Sequence, residues 1–127
     1  LPYWFLEVID YGGEAVKVGD YLGTGHASGG AADITEFKYR GLADKFLGTG
    51  GQRLSDFRTF SVANWSILPS DKAVAFVENH DTQRDGGIWY RDGQTLRLAY
   101  VWLLGHPYGY PSVLSGYAFA RGTPGRD

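Results

Sequence analysis

Two acidic residues hold similar positions in the sequence, each close to the end of a short apolar run. Glu7 lies near the end of the run at 3–9, and Asp81 lies just past the run at 73–78. If these runs are parallel strands, their carboxyl ends share one face of the sheet, and both carboxyls point into one cleft. Such a pair can protonate the leaving oxygen of a glycosidic bond and stabilise the positive charge that develops on the sugar.

Apolar residues precede Glu7 at 4–6 and follow it at 8–9. This setting predicts a desolvated carboxyl, which favours a proton donor. The residues also allow a plainer interpretation, in which Glu7 forms a cap or a salt bridge and 79–81 is a hydrogen-bonded loop. The sequence alone leaves both interpretations open.

Four short apolar runs predict the strands that would position these acids. Their apolar residues are continuous rather than alternating, which is typical of parallel strands buried on both faces. The run ends lie 30 to 39 residues apart, a spacing that suits both half of a (β/α)₈ barrel and a small doubly wound sheet. The runs cover residues 3–9, 32–39, 73–78 and 112–117.

Helical patterns fill the intervals between the runs, at 42–47, 55–65 and 95–104. The last pattern is apolar almost all round, which predicts a deeply packed helix. Asp92 is its predicted cap, and Gly105 and Pro107 are its predicted stop signals. The alternation of strands and helices indicates the α/β class.

Net charge and the length of the apolar runs argue against two classes of function. The 127 residues carry a formal net charge of -2, which argues against a nucleic-acid binder. No apolar run approaches the roughly 18 residues of a transmembrane helix, so no membrane partner is expected. The chain has no cysteine and no methionine, and it begins with Leu1. We therefore expect a piece of a larger protein.

Five segments in order along the chain resemble α-amylases of the large (β/α)₈ glycoside hydrolase family. Phe5–Asp10, followed by Gly12-Gly13-Glu14, resembles the segment around the general acid of that family. Phe76–Asp81 resembles its strand-seven motif. The remaining similar stretches are Ile34–Tyr39 with Pro69–Asp71, His106–Gly109 and Val113–Ser115.

The resemblance implies the fold as well as the chemistry. It implies the C-terminal half of a TIM (β/α)₈ barrel, with parallel strands five to eight. Residues 1–127 would then form part of a catalytic barrel domain, without its N-terminal half and without any C-terminal β domain.

The resemblance also implies roles for single residues. Glu7 matches the general acid/base, and Asp81 matches the carboxylate that stabilises the transition state. His80 matches the histidine that hydrogen-bonds the hydroxyls of the same sugar. Ile9 and Glu14 match positions that line the leaving-group side of the site.

Other residues admit a functional and a structural interpretation. Trp89 and Tyr90 would stack on sugar rings, or would pack against the neighbouring helix. Glu36 and Lys38 face the cleft or have a structural role, and the structural role is favoured. We expect His106 to be structural too. His26 lies in a glycine-rich insertion with no second metal ligand evident nearby.

Three features depart from the family pattern. The nucleophile is an Asp at the end of strand four, before the matching segment begins, and most calcium ligands also lie upstream. Calcium is therefore expected in the parent protein, but none of its ligands is identified in this sequence. In chloride-dependent members a position matching Asn79 helps to hold the ion, but Ser112 stands where those members carry a basic residue. Chloride is therefore not expected as a cofactor.

The resemblance implies an α-amylase that hydrolyses internal α-1,4-glucosidic bonds of starch or glycogen by a retaining mechanism. This chain alone, without the nucleophile, is expected to be inactive. The expected partner is an α-glucan, and the expected location is extracellular. Two alternatives stay open: a transglycosylase of the same family, and a non-catalytic glucan-binding relative.

Overall fold

Four short strands form one parallel sheet whose order in space follows the sequence. The computed structural model describes residues 3–10, 12–13, 15–22, 32–84 and 86–115, with only the backbone of 43 and 44. The strands are β1 (Phe5–Leu6), β2 (Asp33–Thr35), β3 (Ala73–Ala75) and β4 (Tyr110–Pro111). The predicted parallel α/β arrangement is confirmed.

The two central strands carry the core of the sheet. Every residue of β2 and β3 is buried, as predicted for parallel strands covered on both faces. The predicted run at 32–39 is a strand only at Asp33–Thr35, and its residues 37–39 are helical instead. The outer strands differ, because each has a strand on one side only within the described residues. Phe5 and Tyr110 are therefore half exposed.

Strand β4 lies earlier than the predicted run at 112–117. It pairs with β3 through Val74 opposite Tyr110 and Ala75 opposite Pro111. Gly109, just before it, has a φ of 67°, and a side chain there would meet the Ala73 carbonyl oxygen at 2.8 Å. The Cβ of Ala75 would lie at 3.2 Å. Glycine is required at this close approach between two backbones. Residues 116–117 of the predicted run lie outside the described residues.

In the described residues, four α-helices connect the strands or lie beside them: α1 (Phe37–Arg40), α2 (Leu42–Leu47), α3 (Val62–Trp65) and α4 (Gln94–Gly105). The pattern at 42–47 matches α2. The pattern at 55–65 divides into a 3₁₀ turn, Leu54–Thr59, and α3, because Phe60 and Ser61 have extended backbones between them. Of the described helices, none has the length and apolar character needed to cross a membrane.

Helix α4 extends one residue beyond the predicted range 95–104 at each end, and its cap and its burial differ from the prediction. The Asp92 carboxylate accepts a hydrogen bond from the backbone N–H of Trp89 at 2.8 Å and does not cap α4. One face of α4, with Leu96, Ala99 and Leu103, is buried. Val101 is 69% exposed, since only one face packs on the core. The predicted deep packing all round is therefore wrong.

An aromatic cluster fills the space between α1, α4 and β4. The His106 ring stacks on Trp102, with ring centres 4.5 Å apart, and meets the edge of Phe60 at 4.4 Å. Tyr39 and Tyr108 stack beside them at 5.2 Å. The His106 Nδ1 is buried and has no hydrogen-bond partner in the described part of the chain. Burial lowers the pKa of His106, and these contacts support the structural interpretation.

This environment predicts a loss of stability in mild acid. The folded protein holds His106 neutral, whereas the unfolded chain binds a proton near the ordinary pKa of 6.5. The stabilising contribution is complete above that pH and declines as the pH falls towards the lower pKa of the folded state. Replacing His106 by Phe keeps an aromatic ring that cannot titrate.

We therefore expect the melting temperature of His106→Phe to fall less than that of wild type between about pH 7.5 and about pH 5.5. Thermal melting at both pH values measures the effect, and His80→Gln, at an exposed ring, serves as the control. Equal pH dependence in wild type and His106→Phe would contradict the prediction.

Candidate active site

The carboxyl ends of the strands bring together residues that are far apart in the sequence. Glu7 follows β1, Glu36 follows β2, and 76–81 follow β3. Because all the strands are parallel, these residues share one edge of the sheet. Two of the cavities along this edge are lined by Glu7, His80, Asp81 and Ile9, residues of the predicted site.

The first cavity has a volume of about 330 Å³ and is lined by Glu7, Glu78, Asn79, His80 and Ser112, among others. Glu7 is exposed, and its apolar sequence neighbours do not enclose it. The prediction of a desolvated Glu7 is therefore wrong for this chain. The reason is that β1 is an outer strand, with only β2 beside it in the described residues.

The second cavity has a volume of about 420 Å³. Its lining includes Asp81, Ile9, Asp10, Lys38 and Arg40. The residues of the predicted site are thus divided between two cavities: Glu7 and His80 line the first, whereas Asp81 and Ile9 line the second. The single cleft expected from the sequence is not present in the described residues.

A hydrogen-bonded turn holds His80 and Asp81. The Asn79 Oδ1 accepts from the backbone N–H of Asp81 at 3.1 Å and of Thr82 at 2.8 Å. The Nε2 of His80 lies 3.4 Å from Oδ1 of Asp81, and both side chains are about half exposed or more. Residues 79–81 therefore form the hydrogen-bonded loop of the plainer interpretation. It also leaves both polar side chains accessible to a ligand.

Glu36 has the structural role that the sequence analysis favours. It is 4% exposed, and its two carboxylate oxygens accept from the backbone N–H of Lys38 at 2.8 Å and of Leu68 at 2.6 Å. It therefore caps α1 and ties the segment after α3 to the sheet. The Lys38 Nζ donates instead to the Ser66 carbonyl oxygen at 2.7 Å. Burial and, to a smaller extent, the Glu36 charge raise the pKa of Tyr108.

Glu78 is a buried carboxylate that the sequence analysis misses. It accepts from the Tyr100 hydroxyl at 2.6 Å and from the Gln83 Nε2 at 2.8 Å. Burial, together with this hydrogen bond, raises the pKa of Tyr100. The sequence signal that could have identified Glu78 is its position, as an acidic residue at the end of a continuous apolar run. Glu78 fixes the strand end that carries His80 against α4.

Trp89 and Tyr90 line neither cavity. Their rings meet edge to face, with centres 5.1 Å apart. The Arg91 guanidinium lies 5.2 Å from the Trp89 ring centre, and its Nε donates to the Tyr90 hydroxyl at 2.9 Å. Two other residues singled out in the sequence, Glu14 and His26, lie outside the described residues.

In the described residues, no cluster of metal-binding side chains is present, and no cation lines the cavity that contains Glu7. Among them there is no group of three or more acidic, histidine or cysteine side chains that could hold a metal. Ser112 is exposed, and its backbone N–H donates to the Ala75 carbonyl oxygen at 2.8 Å. Within the part of the chain that the structure describes, no Lys or Arg lines the first cavity. This lining supplies no fixed cation for chloride.

The parallel β/α units, with acidic residues at their strand ends, define part of a (β/α)₈ barrel. No protein-family model matches the chain. It is 36% identical to pancreatic α-amylase 2a5 of Mus musculus and 37% identical to pancreatic α-amylase of Sus scrofa. Each match covers 94% of this chain and 23% of the relative.

Solved structures agree with these relatives. The crystal structure of α-amylase I from Eisenia fetida matches with a TM-score of 0.76 and 31% identity, over 91% of this chain and 23% of that one. A Glu-to-Gln variant of that protein, in complex with maltohexaose, gives a TM-score of 0.77 at 30% identity. The chain is thus homologous to part of the (β/α)₈ barrel of the α-amylases. It spans about a quarter of the length of the relatives it matches.

The Glu36 contacts predict a stability effect. Glu36→Ala leaves two partly buried N–H groups, of Lys38 and Leu68, without their acceptor, so we expect it to lower the free energy of unfolding by about 2–4 kcal/mol. Asp71→Ala is the control, because the side chain of Asp71 is 75% exposed at the opposite end of β3. Urea unfolding of both variants measures the difference. Equal loss in the two variants would refute a capping role for Glu36.

Proposed function

We propose that the chain is part of an α-amylase that hydrolyses internal α-1,4-glucosidic bonds of starch or glycogen with retention. The supporting observation is the 35–37% identity to α-amylases across 94% of the chain. Residues 1–127 contribute strands five to eight of the catalytic barrel in this proposal. The nucleophilic Asp is supplied by a segment upstream of this chain.

Glu7 acts as the general acid and base. Its carboxyl donates a proton to the glycosidic oxygen as the bond to the leaving sugar breaks. The same group, then a carboxylate, takes a proton from the water that releases the sugar from the nucleophile. The exposure of Glu7 and its place in the first cavity are compatible with both steps.

Asp81 stabilises the positive charge that develops on the reacting sugar. His80 hydrogen-bonds hydroxyls of the same sugar, and its Nε2 lies 3.4 Å from Oδ1 of Asp81, close enough for both groups to reach one sugar. Ile9 lines the leaving-group side of the site, next to Asp81 in the second cavity. The other proposed substrate-binding residues are Glu14, Trp89 and Tyr90.

The whole protein is proposed to be secreted and to contain calcium. The described residues contain no cluster of three or more acidic, histidine or cysteine side chains, so we propose that the calcium ligands come from other segments. The substrate is an α-glucan polysaccharide or oligosaccharide, and maltohexaose is a practical probe for it.

Glu7→Gln in the full-length protein tests the proposed function. The amide cannot donate the proton, so we expect kcat on maltohexaose to fall by about 10²–10⁴-fold, with binding of maltohexaose retained. Asp71→Asn, at the opposite end of the sheet, is the matched control and should keep full activity. Unchanged turnover in Glu7→Gln would remove Glu7 from the mechanism. A wild-type protein that binds maltohexaose without cleaving it would favour the non-catalytic alternative.

The cavity lining also predicts the response to chloride. Ser112 carries no charge that could hold an anion beside Glu7, so added chloride should not raise kcat at constant ionic strength. Turnover is compared in chloride and in acetate salts of one cation. A strong and specific rise with chloride would show that another group supplies the positive charge.

A further inference from the structure

Arg40 lies in the second cavity, and none of the residues that the structure describes pairs with its charge. It is the last residue of α1, it is half-buried, and it shares the cavity lining with Asp81. In the described part of the chain no oxygen accepts a hydrogen bond from its Nε, and no carboxylate pairs with it. Burying half of a guanidinium costs desolvation free energy, which hydrogen-bond acceptors and carboxylates usually offset. A ligand from outside the described residues would supply such acceptors.

The other charged groups of this cavity already have partners. The Lys38 Nζ donates to the Ser66 carbonyl oxygen. The Asp10 carboxylate accepts from the backbone N–H of Gly12 at 2.8 Å and of Val18 at 3.5 Å. Arg40 is thus the cation in this lining whose donors are not engaged by described residues.

The loop after β3 leaves room for the guanidinium. A Cβ built on Gly87 would stand 2.5 Å from the Arg40 Nη2 and 2.8 Å from the Thr82 carbonyl oxygen. Gly87 is buried, and its backbone N–H donates to that carbonyl at 3.0 Å. Because Gly87 has no side chain, Arg40 can lie against the turn that begins at Asp81. This packing limits the positions that the guanidinium can take.

The cavity has the chemistry of a sugar site. Arg40 offers several N–H donors and Asp81 offers carboxylate acceptors, and sugar hydroxyls can bond to both kinds of group. The two cations of the lining, Lys38 and Arg40, are balanced by Asp10 and Asp81, which favours a neutral ligand over an anion. The volume of about 420 Å³ lies in the range usual for small-ligand sites.

We propose that Arg40 binds hydroxyl groups of a glucose unit of the α-glucan in the second cavity, beside Asp81. The inference rests on the proposed function, since it takes an α-glucan as the ligand. Arg40 contributes to substrate binding, and it has no part in bond cleavage.

Steady-state kinetics of the full-length protein with maltohexaose test the assignment. Arg40→Ala should raise the KM for maltohexaose about tenfold, the effect of one hydrogen bond to a charged group, with little change in kcat. Arg40→Lys should recover part of the loss. Arg58→Ala, at an exposed arginine in the Leu54–Thr59 turn, is the control.

Binding to an inactive protein separates this inference from the proposed function. Calorimetry should give a Kd for maltohexaose about tenfold weaker in Glu7→Gln/Arg40→Ala than in Glu7→Gln. Equal Kd values would overturn the assignment of Arg40, as would a fall in kcat and melting temperature with no change in KM. Full activity of Glu7→Gln would instead refute the proposed function, and the Arg40 comparison would still be readable from wild-type kinetics.

Discussion

Parallel pairing of the strands in chain order is the constraint on which the rest of the structure depends. Leu6 lies opposite Ile34, Ile34 lies opposite Ala73, and Val74 lies opposite Tyr110. Each parallel step needs a crossover long enough to return the chain to the other end of the sheet. The polar residues that follow the strands therefore collect at one edge, although they lie up to about a hundred positions apart in the sequence.

Two buried carboxylates make this edge rigid. Glu36 holds the start of α1 and the segment before β3, whereas Glu78 joins the end of β3 to α4. Buried charge is tolerated here because each oxygen accepts a hydrogen bond. The exposed groups, Glu7, His80 and Asp81, lie beside these anchored acids. The same edge thus contains one set of carboxyls that fixes the backbone and another set that remains open to a ligand.

The sequence predicts where strands and helices form better than it predicts how deeply each residue is buried and what it contacts. Strands β2 and β3 lie within the runs predicted for them, and α2 matches its predicted pattern, because these elements depend on nearby residues. The second half of the run at 32–39 is wrong as a strand, since residues 37–39 belong to α1. Burial of Glu7 depends on what lies across β1, and the packing of α4 depends on which face meets the sheet. Neither can be read from adjacent residues. Glu78 shows the same limit, because its partners Gln83 and Tyr100 become apparent only when α4 is in place.

The close contact between β3 and the residue before β4 limits which substitutions evolution can accept there. Ala73 and Ala75 are fully buried, and Gly109 lies against both of them with no room for a Cβ. Substitutions at residues in contact are energetically coupled, so the effect of a change at one depends on the others. A larger residue at any of these positions would push β4 outwards and carry Ser112 with it. Among homologous sequences these three sites should therefore stay small together, or change only in compensating combinations.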